Sequence, residues 1–196
     1  HPVIGAACGL HAATPSAEAE RRTFRLKART VMVETQRRAA DCYFGVMEQG
    51  PAEFRGGPAP DRLAEIAGWF SLEAADLDPN LPLEVVSTGL RYLIMPVRAD
   101  ALARARIVGP DLEQKLAGLG APFAYLLDVR QREGRHWNND GLVEDVATGS
   151  GAGCAAAYLR RHDRIGDGDT VVLRQGRFAG RPSEILMRAR GSGLSI

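Results

Sequence analysis

The stretch EDVATGSGAGCAAAYL, residues 144–159, constrains the fold of this chain more than any other. Its run of small residues predicts a helix with few bulky side chains, so that neighbouring elements can approach its backbone closely. The helix start is rich in glycine, and Thr148 or Ser150 can serve as its N-cap. The pattern therefore predicts a buried central helix, with the acids Glu144 and Asp145 directly before it.

The same helix start can also bind an anion. The first N–H groups of a helix lack intrahelical partners and carry partial positive charge, and Gly149 and Gly151 leave them uncovered. Asp145 lies three residues before Thr148, close enough to reach a bound ligand and to exchange protons with it. The structural alternative is a set of capping acids beside a packing helix without a ligand. A dinucleotide site is excluded, because no strongly apolar strand precedes the glycines.

A second small-residue helix is predicted from Pro2 onward, apolar nearly all round and therefore buried. Its GAAC segment at 5–8 is similar to GAGC at 151–154, and strands follow each helix. The sequence therefore predicts a duplicated α+β architecture with one buried helix per half. A turn near residue 78 divides the chain into halves 1–80 and 81–196, and the last strand of the second half is a candidate to cross back to the first.

The remaining elements follow from hydrophobic periodicity. Strands are predicted by alternation and by β-branched runs, in segments 22–48, 83–97, 122–130, 169–176 and 180–191. A helix is predicted over 61–72 with Asp61 as its N-cap, and two more on either side of Gly109-Pro110.

Composition excludes several classes of function. The formal net charge is +1, which argues against a nucleic-acid or membrane surface. The three cysteines form no CxxC pair and have no histidines at ligand spacing, so the chain is predicted to bind no metal and to reside in the reducing cytoplasm. The four histidines are isolated in the sequence. Only His1 is a candidate functional residue, because it begins the other small-residue helix.

Four stretches resemble the PhzF-like isomerases of phenazine biosynthesis, which share the diaminopimelate epimerase-like fold. They occur in the family's order and extend from residue 1 to about 190: HPVIGAA, VVSTGLRYLIMPV, EDVATGSGAGCAAAYL and LRQGRFAGRPSEILMRARG. The resemblance implies two pseudo-repeated halves, each a curved, mostly antiparallel sheet or barrel around a central helix. It also implies a substrate cleft between the halves and a reaction without metal or organic cofactor.

Site residues carry over by position. The resemblance implies that His1 and Asp145 match the family's active-site histidine and aspartate, and that Gly149 and Ser150 match residues that hold the substrate carboxylate. Thr148 and Gly151 belong to the same expected binding segment. The related two-thiol racemases have a cysteine where this chain has Thr148, so a two-thiol racemisation is not expected.

The resemblance also implies a departure. The family's principal acid/base is a glutamate in strands that precede the histidine motif, and these strands are absent from this sequence. The first half is therefore expected to be incomplete, with an open sheet edge and a central helix that is partly uncovered. A homodimer, or a companion chain that supplies the missing strands, is the expected remedy.

The sequence therefore predicts a cofactor-independent isomerase that moves a proton on a small carboxylic acid in an interdomain cleft. The alternatives are a catalytically inactive scaffold or binding protein, and one part of a split enzyme. A racemase is a third possibility.

Overall fold

The computed structural model describes residues 2–14, 18–27, 29–190 and 193–196. It is an α+β fold in which the described strands form a single curved sheet. The helices are α1 (Pro2–Ala13), α2 (Leu63–Gly68), α3 (Ala99–Arg104), α4 (Leu112–Ala117) and α5 (Gly149–Arg161). The strands are β1 (Ala19–Arg25), β2 (Thr30–Ala39), β3 (Cys42–Pro51), β4 (Glu53–Phe54), β5 (Glu84–Ser87), β6 (Arg91–Pro96), β7 (Phe123–Asp128), β8 (Glu133–Arg135), β9 (Thr170–Gln175), β10 (Ser183–Arg190) and β11 (Gly193–Ser195).

The order of strands across the sheet is β1-β2-β3-β11-β10-β9-β8-β7-β6-β5-β4. The pairs β6–β7 and β8–β9 are parallel, and the other pairs are antiparallel. The last strand, β11, therefore lies between β3 and β10 and joins the first hairpins to the rest of the sheet. The division of the chain near residue 80 stays a prediction.

Alternation along each strand decides which face is covered. In β2, Val31, Val33 and Thr35 are buried and their neighbours are more exposed, as expected for a sheet covered on one face. In β6, every residue after Arg91 is buried, because helices cover both faces there. The predicted strands of both halves and the two helices around Gly109-Pro110 are confirmed.

The core has two large parts and a small one. One large part lies between the sheet and helices α2 to α4, and the other surrounds α5. The small part is formed by Ala7, Val31, Val33 and Met47 under α1. None of the described helices combines the length and the apolar character that a membrane span needs.

The burial of α1 that its apolar pattern predicts is only partial: its buried residues are Ala7 and His11, and Leu10 is 47% exposed. This exposure agrees with the expectation, implied by the resemblance, that a first half without its first strands leaves its central helix partly uncovered. Another local prediction is wrong. Asp61 was expected to cap a helix, but it lies inside a 3₁₀ turn over Pro60–Arg62 that precedes α2. Proline at the start of that turn already has the φ angle that a helical turn requires, so the turn begins one residue before Asp61.

Candidate active site

The segment that carries Asp145 pairs with the residues after β8. Trp137 forms an antiparallel bridge with Glu144, and the Asp145 N–H donates to the His136 carbonyl oxygen at 2.9 Å. Residues directly opposite each other in an antiparallel pair point to the same side. Asp145 therefore shares one side with His136, and Glu144 shares the other side with Trp137.

Glu144 is held in a buried ion pair on the side away from Asp145. The Arg135 guanidinium donates to both carboxylate oxygens of Glu144 at 3.0 and 2.6 Å, and both side chains are almost inaccessible to solvent. Arg135 also donates to two backbone carbonyl groups and lies 4.3 Å from the ring centroid of Trp137. These bonds fix the loop and leave Asp145 as the acid available for chemistry.

Thr148 occupies the N-cap position of α5, but its side chain does not cap the helix. Its hydroxyl donates instead to Oδ2 of Asp145 at 2.7 Å, while the Ala147 N–H donates to Oδ1 at 3.3 Å. The prediction that Thr148 or Ser150 caps the helix through its side chain is therefore wrong. The reason is that a half-buried carboxylate lies within reach of the Thr148 hydroxyl.

Gln175, the last residue of β9, determines the direction of the Thr148 bond. Its Nε2 donates to the Asp145 carbonyl oxygen at 2.7 Å and to Oγ1 of Thr148 at 2.9 Å. Its Oε1 accepts from the Thr148 N–H at 3.1 Å and from the Tyr125 hydroxyl at 2.9 Å. All four positions of the amide are used, so its orientation is unique. The Thr148 hydroxyl must accept from Gln175, and its single proton points at Asp145.

Ser150 contributes a second hydroxyl on the first turn of α5. Its Oγ lies 2.8 Å from the hydroxyl of Tyr92, a residue of β6. Burial raises the pKa of Tyr92 to about 12, while the Ser150 bond acts in the opposite direction. Tyr92 is therefore neutral near pH 7, and the pair presents hydroxyl groups rather than charge beside the helix start.

The glycines of α5 serve close packing. A Cβ added to Gly151 would lie 2.6 Å from the ring of Tyr125. The Gly149 carbonyl oxygen accepts from Nε2 of Gln49 at 3.1 Å, and Oε1 of Gln49 accepts from the Thr88 hydroxyl at 2.7 Å. Gln49 belongs to β3, so this amide connects the first hairpins to the start of α5.

The backbone at the start of α5 keeps its donor character. The first bond of the helical ladder runs from the Ala152 N–H to the Thr148 carbonyl oxygen at 2.8 Å. The N–H groups of Gly149, Ser150 and Gly151 precede that bond and lie in the turn that attracts anions. The predicted binding residues are therefore together at one helix end, next to Asp145.

The first turn of α1 and the residue that follows the Asp145-Val146 pair border one cavity. Ile4 and Ala147 both line a cavity of about 440 Å³, together with residues of β2, β3 and β10. Ala147 lies between Asp145 and the start of α5, so the two helix starts are near the same cavity. His1, the other predicted catalytic residue, lies outside the described residues.

Two residues of this site were not predicted. Gln175 and Tyr92 come from segments far from Asp145 in the sequence and join the site only in the fold. His136 belongs to the loop 134–143, whose sequence predicts pocket residues, but its position opposite Asp145 was not predicted. Gln175 lies in the stretch LRQGRFAGRPSEILMRARG, whose family resemblance does not by itself indicate a polar contact with Asp145.

Comparison with known proteins identifies the family of this chain. The family described as "Phenazine biosynthesis-like protein" matches residues 1–193. The chain belongs to this family. A trans-2,3-dihydro-3-hydroxyanthranilate isomerase of Pseudomonas aeruginosa is 29% identical over 98% of this chain and 66% of its own length. The corresponding protein of Pseudomonas chlororaphis is 28% identical over 97% of this chain and 65% of its own length.

Solved structures show the same fold. A structure described as a predicted epimerase from Pseudomonas aeruginosa has a TM-score of 0.94 and 45% identity, and it aligns with 100% of this chain and 68% of its own. A PhzF-family protein of Bacillus anthracis has a TM-score of 0.76 at 20% identity, over 100% of this chain and 70% of its own. This chain therefore spans about two thirds of the length of its relatives. The α+β fold predicted from the resemblance is confirmed.

Proposed function

We propose that this chain carries a large part of an isomerase active site, in which a proton is moved within a small carboxylic acid. The observation that supports this most directly is the placement of Asp145. Its carboxylate accepts bonds from the Thr148 hydroxyl and the Ala147 N–H, and it lies next to the first turn of α5. A held carboxylate beside an anion-binding helix start is suited to removing a proton near a bound acid group.

Each residue of the site has its own role in the proposed reaction. The N–H groups of Gly149 and Ser150, with the Ser150 hydroxyl, bind the substrate carboxylate. Asp145 takes a proton from carbon as one C–H bond breaks, and a proton returns to another carbon of the same molecule, so that no net oxidation occurs. Thr148 positions Asp145 rather than binding the substrate, and Gly151 gives Tyr125 room.

The proposed role of His1, which lies outside the described residues, is to relay or orient protons. We expect such a shift to need no cofactor, because the N–H groups of the helix start stabilise the negative charge that develops on the substrate as the proton leaves. Several relatives are named as isomerases of trans-2,3-dihydro-3-hydroxyanthranilate, a small cyclic carboxylic acid. This compound is the first substrate to test.

The experiment measures turnover of that acid and incorporation of deuterium from heavy water into it, together with binding. Asp145→Asn keeps the shape of the side chain and removes the base. We expect turnover to fall by about 10²- to 10⁴-fold, the usual contribution of acid–base catalysis. Asp41→Asn, at an exposed position in the β2–β3 turn, is the matched control and should leave turnover unchanged.

Equal turnover in the wild type and Asp145→Asn would remove Asp145 from the chemistry. Binding of the acid without turnover or deuterium exchange would instead identify a binding protein, the alternative that the sequence left open. A homodimer or a companion chain stays a prediction, and sedimentation velocity tests it directly.

A further inference from the structure

His136 lies directly opposite Asp145 and on the same side of the backbone pair. The bridge between Trp137 and Glu144 sets this register, and the bond from the Asp145 N–H to the His136 carbonyl continues it. Contacts on the two sides agree with this alternation. Trp137 and Glu144 both contact Arg135, whereas the His136 ring packs against Tyr92. Opposed side chains in such a pair have Cβ atoms about 4.5–5.5 Å apart.

The ring of His136 has a fixed orientation. It packs edge-on against Tyr92 and Phe123, with ring centroids 5.5 and 5.7 Å away. Tyr92 in turn bonds Ser150 on the first turn of α5. The imidazole therefore lies in the same wall of the site as the proposed carboxylate clamp.

The tautomer of His136 follows from its one hydrogen bond. Nδ1 lies 2.9 Å from the Ala124 carbonyl oxygen, which can only accept, so Nδ1 carries the proton. Burial lowers the pKa of His136, against smaller opposing effects of the Ala124 bond and the Asp145 charge. The ring is therefore neutral near pH 7, and Nε2 carries a lone pair.

That lone pair is available. Among the described residues, no group forms a hydrogen bond with Nε2 of His136. Among the described residues, Oδ1 of Asn139 is the one fully buried side-chain nitrogen or oxygen atom that lacks a hydrogen-bond partner. Nε2 of His136 also lacks a partner but is not fully buried by the same criterion, so it is not sealed in the core. His136 as a whole is 7% exposed. The groups beside it are the rings of Tyr92 and Phe123 and, across the backbone pair, Asp145.

We propose that Nε2 of His136 accepts a hydrogen bond from an amino or hydroxyl group of the substrate and so selects acids that carry such a donor. This inference rests on the proposed function, because it places the substrate carboxylate at Ser150. The clamp offers donors to a carboxylate, and Asp145 is an acceptor committed to proton transfer. A neutral acceptor on the same wall distinguishes a substituted acid from a plain one, since an unmatched polar group in a buried site weakens binding.

The test uses the full chain and three probes: benzoate, 2-aminobenzoate and 3-hydroxybenzoate. Dissociation constants are measured by calorimetry at about pH 8, where histidine is neutral. We expect the wild type to favour at least one donor-bearing acid over benzoate by about 2- to 10-fold, the effect of one neutral hydrogen bond.

Two variants separate the two ring nitrogens. His136→Asn places an amide near Nδ1 and removes the acceptor at Nε2, so the preference for a donor-bearing acid over benzoate should vanish. His136→Gln extends to the position of Nε2, so a part of the preference should remain. A preference that survives in His136→Asn, or that the wild type lacks although it binds benzoate, overturns the inference and leaves the proposed function standing.

A measurement on the wild type keeps the test decisive if the variants fold poorly. The Nε2 nitrogen chemical shift of His136, followed by NMR, should move with the preferred donor-bearing acid and not with benzoate. An equal response to both acids contradicts the inference. Failure of the wild type to bind any of the three acids counts against the proposed carboxylate site itself, and the inference falls with it.

Discussion

The two small-residue helices of this protein have similar sequences and very different surroundings. The helix α1 contains no acidic or basic residue other than His11, yet it buries only Ala7 and His11. The helix α5 ends in Arg160 and Arg161, yet it is buried along nearly its whole length before them. Within the described residues, the more apolar helix is the more exposed one.

The difference shows that the elements around a helix decide its burial. The helix α5 contacts strands β5, β6, β7, β10 and β11, which curve around it. The helix α1 contacts β1, β2 and β3, which cover one side of it. Glycine and alanine permit close approach, but strands must be present to make the approach. Four predictions test this contrast between the α5 region and the α1 region, which comprises α1 and strands β1 to β3.

The largest difference is expected for two arginines. Arg135→Met leaves Glu144 buried without a partner and should lower the free energy of unfolding by about 3–5 kcal/mol. Arg21→Met, in the α1 region, breaks an ion pair whose side chains are 70% and 49% exposed and should cost about 0.2–1 kcal/mol. Urea denaturation measures both. The double variant Arg135→Met/Glu144→Leu should recover much of the loss, and no recovery would mean that the other contacts of Arg135 dominate.

Truncation of one leucine in each helix comes next. Leu159 in α5 is 1% exposed, so Leu159→Ala should cost about 2–5 kcal/mol through lost burial and the remaining cavity. Leu10 in α1 is 47% exposed, so Leu10→Ala should change stability by about 0.5 kcal/mol or less. The midpoints of chemical unfolding give the comparison. Equal losses would show that α1 is covered in solution.

Replacing a glycine with alanine should have opposite effects on stability in the two helices. Gly151→Ala places a methyl group 2.6 Å from the buried Tyr125 ring and should destabilise the protein by about 1–3 kcal/mol. Gly9 in α1 has no neighbouring atom within 4 Å of the added methyl, so Gly9→Ala should stabilise by about 0.5–1 kcal/mol. Thermal unfolding followed by circular dichroism reports both signs. Stabilisation by both replacements would contradict the close packing of α5.

The smallest expected effect is a pH dependence of folding stability that His136, beside the start of α5, causes. Burial lowers the pKa of His136 in the folded protein below its ordinary value, so below about pH 6.5 the unfolded chain binds a proton that the folded chain does not. Stability should therefore decrease as the pH falls through that range, and be unaffected by this group above it. Urea denaturation across this range should show a shallower slope for His136→Asn. An unchanged slope would remove His136 as the source.

Much of the site could be predicted from the sequence, because its main residues are close together in the chain. Asp145, Thr148 and Ser150 lie within six residues of one another, and the capping preferences of a helix start apply to such a segment. Gln175 could not be identified in this way. In β9 it is one polar residue of an ordinary alternating strand, and only the sheet brings its amide to Thr148 and Asp145.

The roles of individual groups were harder to predict than their presence. A threonine before a glycine-rich helix reads as a cap, but its hydroxyl proton goes to Asp145 because Gln175 occupies its lone pair. His136 reads as an isolated histidine in a loop. Its position opposite Asp145 depends on the pairing of two segments on either side of a turn.

By itself the sequence determined the helix of small residues, the acid before it and the α+β order of elements, because these follow from local periodicity and backbone preference. The tertiary structure decided which of the two helices is buried, which hydroxyl faces the acid and which ring stands beside it. Those outcomes depend on burial and hydrogen-bond partners contributed by distant segments, and no local pattern records them.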